Sequence, residues 1–105
     1  MVMEWIEFIH LRSHSAQDMQ RAVRAFHALD FPDKGRLLRR ISLFQNHVLE
    51  LDLGIVLEWS GDPGPGAKSA LGLQLTRAFG EFGQINHTGW TRQTALFPAS
   101  QEKYS

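Results

Sequence analysis

The sequence predicts a single α+β domain, a ferredoxin-like sandwich with element order β-α-β-β-α-β. Three observations predict it: two amphipathic helical stripes, four short segments rich in β-branched and aromatic residues, and turn-forming residues between them. Two helices and four strands in this order fit a split β-α-β sandwich, with a four-stranded antiparallel sheet and both helices on one face. A chain of 105 residues suits one domain. It can bury ~65% of the surface its unfolded form exposes, enough for a core without staples. The predicted elements fall within residues 1–97, and 98–105 reads as a polar C-terminal tail.

Residues 5–11 (W-I-E-F-I-H-L) read as the first strand. Ile6 and Phe8 point one way, and Trp5, Ile9 and Leu11 the other. A strand apolar on both faces is covered on both faces. One of these two sets therefore belongs on the sheet face opposite the helices. Ser15 then opens a helix as its N-cap, with Asp18 imitating a capping box through a shorter side chain. Met19, Ala22, Val23, Phe26 and Leu29 follow as one apolar stripe. The segment Asp30-Phe31-Pro32-Asp33-Lys34-Gly35 ends it.

Residues 40–59 read as a β-hairpin. Its turn falls either at Asn46-His47 or around Glu50-Leu51-Asp52, the second giving strands of similar length. Residues 60–66 (S-G-D-P-G-P-G) form a loop, with two prolines and three glycines that neither a helix interior nor a central strand accepts. Residues 67–82 carry a second helical stripe of Leu71, Leu75, Ala78, Phe79 and Phe82. Gly72 inside it costs ~1 kcal/mol against Ala, and such a glycine often permits close approach to a neighbouring element. Gly83 is the expected C-cap. Residues 86–97 read as the last strand.

The chain has 11 Lys plus Arg and 11 Asp plus Glu. This balance argues against nucleic-acid and membrane-surface binding, which need a positive field. Without Cys there is no disulfide, thiolate zinc site or cysteine nucleophile. No stretch approaches the ~20 apolar residues of a membrane helix. The first ten residues hold two Glu and no Lys or Arg, so no signal peptide is expected, and the location expected is the cytoplasm.

Few residues suggest chemistry. The segment Gly61-Asp62-Pro63-Gly64-Pro65-Gly66-Ala67-Lys68-Ser69 nearly spells a phosphate-binding loop. It is one residue too long, and its prolines lack the N–H groups that cradle phosphates. What is left is weak anion binding by the helix start with Lys68. His10 and His14 are four apart but straddle a strand end, so no metal site is expected. Asn86-His87-Thr88-Gly89-Trp90 places an amide, an imidazole and an indole in one short strand. By alternation Asn86, Thr88 and Trp90 share one side and His87 takes the other. Trp5, Trp59 and Trp90 suit either a pocket or the core and a dimer interface. Arg36, Arg39 and Arg40 cluster as a basic, solvated patch.

On these residues the chain resembles the dimeric α+β barrel superfamily, which includes the antibiotic-biosynthesis monooxygenase-like proteins. The likeness lies in the element order, the short length and the tryptophan within the last strand. It implies a homodimer whose subunits pack their open sheet faces together. It also implies, for the catalytic members, aromatic polyketides or haem bound between sheet and helices, handled by Asn, Trp, His or Arg without a bound metal. Two readings follow. One is a non-catalytic homodimer that binds a small apolar or aromatic ligand or simply assembles. The other is a cofactor-independent monooxygenase acting on an aromatic compound. In the second, His87 or His10 is the base, because imidazole titrates near neutral pH, and Asn86 and Trp90 hold the ligand. No cofactor is expected in either.

Overall fold

The computed structural model describes residues 4–30 and 37–96. The main elements are β1 (Glu4–Ser13), α1 (Ala16–His27), β2 (Leu38–Gln45), β3 (Asp52–Ser60), α2 (Ala70–Phe79) and β4 (Gly83–Thr91), in the expected order. The strands form one sheet in the order β2-β3-β1-β4, with every neighbouring pair antiparallel. This is the ferredoxin-like topology. The expected turn at residues 31–35, Arg36, Phe97 and the 98–105 tail lie outside the described residues.

Local chemistry sets the element ends. Ser15 caps α1, its Oγ accepting from the Asp18 N–H at 3.1 Å. The Asp18 carboxylate instead accepts from Arg21 at 3.0 Å. Aspartate is one methylene shorter than the glutamate of a full capping box. The second helical stretch is shorter than its stripe. Ser69 caps α2, accepting from the Gly72 N–H at 2.8 Å, and 3-10 turns at Pro65–Ala67 and Gly80–Phe82 flank it. Gly80 is the C-cap of α2, whereas Gly83 starts β4 in extended conformation. A Cβ on Gly83 would stand 2.0 Å from the Arg12 carbonyl oxygen, so the strand pair closes tightly there. β4 therefore begins three residues before the position its alternation suggests.

Asn46-His47 and Glu50-Leu51 belong to one six-residue loop between Gln45 and Asp52, and Asp52 itself opens β3. Asn46 Oδ1 accepts from the Val48 and Leu49 N–H groups at 2.8 Å each. The Asp52 N–H then donates to the Leu49 carbonyl at 2.9 Å. Asparagine organises this loop through its own side chain, as Asx turns do.

The two faces of β1 separate cleanly. Trp5, Ile9 and Leu11 are buried, with Leu53, Ile55 and Leu57 of β3, Ala22 of α1, Leu75 and Phe79 of α2, and Phe82. Each such aliphatic or aromatic side chain contributes roughly 1.5–3 kcal/mol by leaving water. Ile6 and Phe8 are the set on the open face, beside Val56 of β3 and the exposed Phe44 and Trp90.

Candidate functional site

One residue breaks the apolar pattern of the helix-facing side. Glu7 lies between Trp5 and Ile9 on β1 and is fully buried. A bare carboxylate there would cost several kcal/mol, and four partners offset that. Oε1 accepts from the Ser69 N–H at 2.9 Å and lies 2.8 Å from His87 Nε2, which donates to it when it carries the proton. Oε2 accepts from Trp59 Nε1 at 2.8 Å and from Ser69 Oγ at 2.5 Å. Glu7 thus sits on the N-terminus of α2, where the free N–H groups and the helix dipole favour negative charge. Gly72 makes this possible: a Cβ there would stand 2.0 Å from Oε1. The helix start proposed above for weak anion binding beside Lys68 is filled by the chain's own carboxylate.

Beside this network a hollow of about 820 Å³ opens at the end of the sheet where β1 begins and β3 and β4 finish. Trp5 and Trp59 are register partners on the helix-facing side, stacked at 5.5 Å between ring centroids and 13° between planes. Trp90 and Ile6 enter its wall from the open face. Two indole N–H groups are already donated, Trp59 to Glu7 and Trp90 to Thr88 Oγ1 at 2.9 Å. Of the wall's guanidinium groups, Arg40 pairs with Glu58 at 3.1 Å and Arg92 with Glu4 at 2.8 Å. Arg39 donates to Ser60 Oγ at 2.8 Å and has no carboxylate partner among the described residues.

A second polar cluster lies on the open face, toward the other end of β1. The Asp52 carboxylate is almost buried and takes His10 Nε2 at 2.8 Å, with Arg12 Nε and a terminal guanidinium nitrogen at 3.1 and 3.0 Å. The hydrogen bonds from Arg12 hold the Asp52 carboxyl below the usual carboxylate range, against the upward push of burial, and His10 adds to the lowering. Asp52 in turn raises Arg12.

The four residues singled out from the sequence are spread over three places. Trp90 lines the hollow. Asn86 stands exposed on the open face, opposite His10 in register, and does not reach the hollow. His10 is engaged by Asp52. His87 is on the other face of β4, nearly buried against Glu7. The polar side of β4 thus faces away from the helices. Sequence reasoning missed Glu7, its link through Trp59 to the hollow, and the role of Ser69. The available signal was the glycine within an amphipathic helix. Among the described residues no three His, Cys, Asp or Glu side chains gather as a metal site would need, and no helix is long and apolar enough to cross a membrane.

No protein-family model matches the sequence, and no curated protein sequence does. Solved structures do match in shape. A dimeric ferredoxin-like protein from an uncultured marine organism superposes with a TM-score of 0.63 at 10% identity, over 92% of this chain and 94% of that one. SnoaB, a cofactor-independent oxygenase from Streptomyces nogalater, gives 0.59 at 14% identity, over 90% and 97%. A proposed antibiotic biosynthesis monooxygenase from Bordetella bronchiseptica gives 0.55 at 14%, over 90% and 99%. Identities this low speak for the backbone alone, and the chain shares the ferredoxin-like α+β fold of these structures.

Proposed function

We propose that the chain is a homodimeric domain that binds a small, flat, apolar or aromatic ligand in the hollow at the end of its sheet. The observation that carries this reading is the meeting of Trp5, Trp59 and Trp90 around one open volume. Its size falls within the roughly 300–1,000 Å³ of small-molecule sites. The dimer rests on the open face. Away from the hollow, Phe8, Val56 and Phe44 make it apolar, and its charges there are already paired within the chain, Arg12 and His10 with Asp52. A two-fold contact sets this face against itself, and internal pairing keeps like charges from opposing it. One fold neighbour is itself described as dimeric. Without Cys, the protein suits the cytoplasm.

The alternative is a cofactor-independent oxygenase acting on an aromatic compound. It draws on one observation, that the His87 ring is oriented by a carboxylate, as a general base often is. Against it, His87 is nearly buried and outside the wall of the hollow, and His10 is held by Asp52.

The test joins light scattering with NMR titration by indole-3-acetamide, a neutral flat probe. The expected result is a mass twice that of the 11.9 kDa chain and saturable shifts around Trp5, Trp59 and Trp90, weakened about tenfold in Trp90→Ala. A monomer at tens of micromolar refutes the dimer, and no saturable shift refutes the binding site.

A further inference from the structure

Resting on that ligand-binding reading, we infer that the hollow selects a flat aromatic molecule with one carboxylate, whose anionic group is held by Arg39. The wall fixes both halves of this chemistry. Trp5 and Trp59 are locked in a stack, and Glu7 holds the Trp59 N–H from behind. Trp90 donates its N–H to Thr88. Trp59 and Trp90 therefore offer a ligand ring surface rather than hydrogen bonds, which favours a planar, π-rich body.

The charge of the wall gives the second half. It carries three guanidinium groups and two carboxylates, and four of these five charges neutralise one another as Arg40–Glu58 and Arg92–Glu4. Arg39 is the cation left over among the described residues. One of its five N–H groups goes to Ser60, which fixes the side chain, and no other described residue takes the rest of the planar fork, whose geometry suits a carboxylate. Arg39 occupies the irregular position between Leu38 and Arg40, where the β2–β3 register slips by one residue. This extra residue turns it out of the regular ladder, as bulges re-aim side chains near sites. Among the described residues a single unpaired cation beside Glu4 and Glu58 suits a monoanion. A dianion such as a phosphate would meet two carboxylates and, among the described residues, one guanidinium without a carboxylate partner.

Three probes of one shape test this: indole-3-acetate (anion), indole-3-acetamide (neutral) and tryptamine (cation), titrated into the dimer and followed by NMR. Indole-3-acetate is expected to bind about tenfold more tightly than the amide, the effect of one charge-assisted contact, with tryptamine weakest. Raising the salt should shrink the gap, since the contact is partly exposed. Arg39→Gln should cost the acetate about tenfold, bringing it down to the amide's affinity, and cost the amide far less. Arg39→Lys should restore part of the preference. Equal binding of acetate and amide overturns the anion selection and leaves the hollow's ligand role standing. A preference that survives Arg39→Gln overturns the assignment to Arg39. Failure of all three probes to bind overturns both readings together.

Discussion

Gly72→Ala is the sharpest perturbation that the structure offers, because two principles predict opposite signs for it. On helix propensity alone, replacing a glycine in the first turn of α2 by alanine stabilises by up to ~1 kcal/mol. Here the new methyl carbon would stand 2.0 Å from Glu7 Oε1, 2.8 Å from Cδ and 3.1 Å from Oε2. The carboxylate must retreat by more than 1 Å, and it is fully buried. Retreat stretches the contacts to Ser69, Trp59 and His87 together. Hydrogen bonds to a charged group contribute about 1.5–3 kcal/mol each, so loss of two outweighs the propensity gain. The net expectation is a destabilisation of ~2–5 kcal/mol, seen as a lower urea midpoint at unchanged slope and a melting temperature down by roughly 10 °C or more. A double-mutant cycle isolates the cause. In a Glu7→Ala background the clash is gone, and Gly72→Ala should become neutral or stabilising by ~1 kcal/mol. A Gly72→Ala single variant as stable as the parent would refute the reasoning, since it would mean that Glu7 has room or that its bonds contribute nothing.

Two further outcomes follow from the same geometry. Asp52 has a folded pKa below its unfolded one, chiefly through the hydrogen bonds from Arg12. Its contribution to stability is therefore complete above the ordinary carboxyl range and lost as pH falls through the folded value. Urea midpoints measured from pH 7 down to pH 3 should fall less steeply in Asp52→Asn than in the parent, and parallel curves would remove Asp52 from the acid response. Gly89→Ala should cost ~1–3 kcal/mol in chemical denaturation, because its Cβ would stand 2.2 Å from the Ala67 carbonyl oxygen and 2.4 Å from the Ala67 Cβ. An unchanged midpoint would mean that the turn at Pro65–Ala67 moves aside freely.

The fold was legible because its signals are periodic and local. Met19, Ala22, Val23, Phe26 and Leu29 repeat at helical spacing, Ser15 caps where a cap is needed, and the glycines and prolines of 60–66 punctuate where the chain turns. Element edges were less legible: the apolar stripe runs on to Phe82, yet α2 ends at Phe79 and a 3-10 turn carries Phe82. The site was legible only in fragments. Trp90 could be singled out by composition, and Asn86 stands on the same open face of β4 but farther along the strand, outside the wall of the hollow. Which face of a two-sided apolar strand meets the helices depends on long-range packing, and no window of sequence around residues 5–11 contains that information.

Glu7 shows how the missing information is distributed. In its own segment it is one polar residue among apolar ones, indistinguishable from a solvated position on a half-exposed strand. Its meaning comes from Ser69 and Gly72, more than sixty residues later, and from His87 on an edge strand. Ser69 turns a helix start toward β1, Gly72 leaves space for a carboxylate, and Trp59 and His87 meet the oxygens from the flanking strands. Each is an ordinary local choice: a cap, a tolerated glycine, a strand tryptophan, a strand histidine. Only the register of β1 against β3 and β4 brings them to one point. The same register stacks Trp5 on Trp59 and opens the hollow beside them. Rigidity of the aromatic wall and burial of the carboxylate are therefore one structural fact, and a change at Gly72 should loosen the Trp59 side of the hollow as well as the fold.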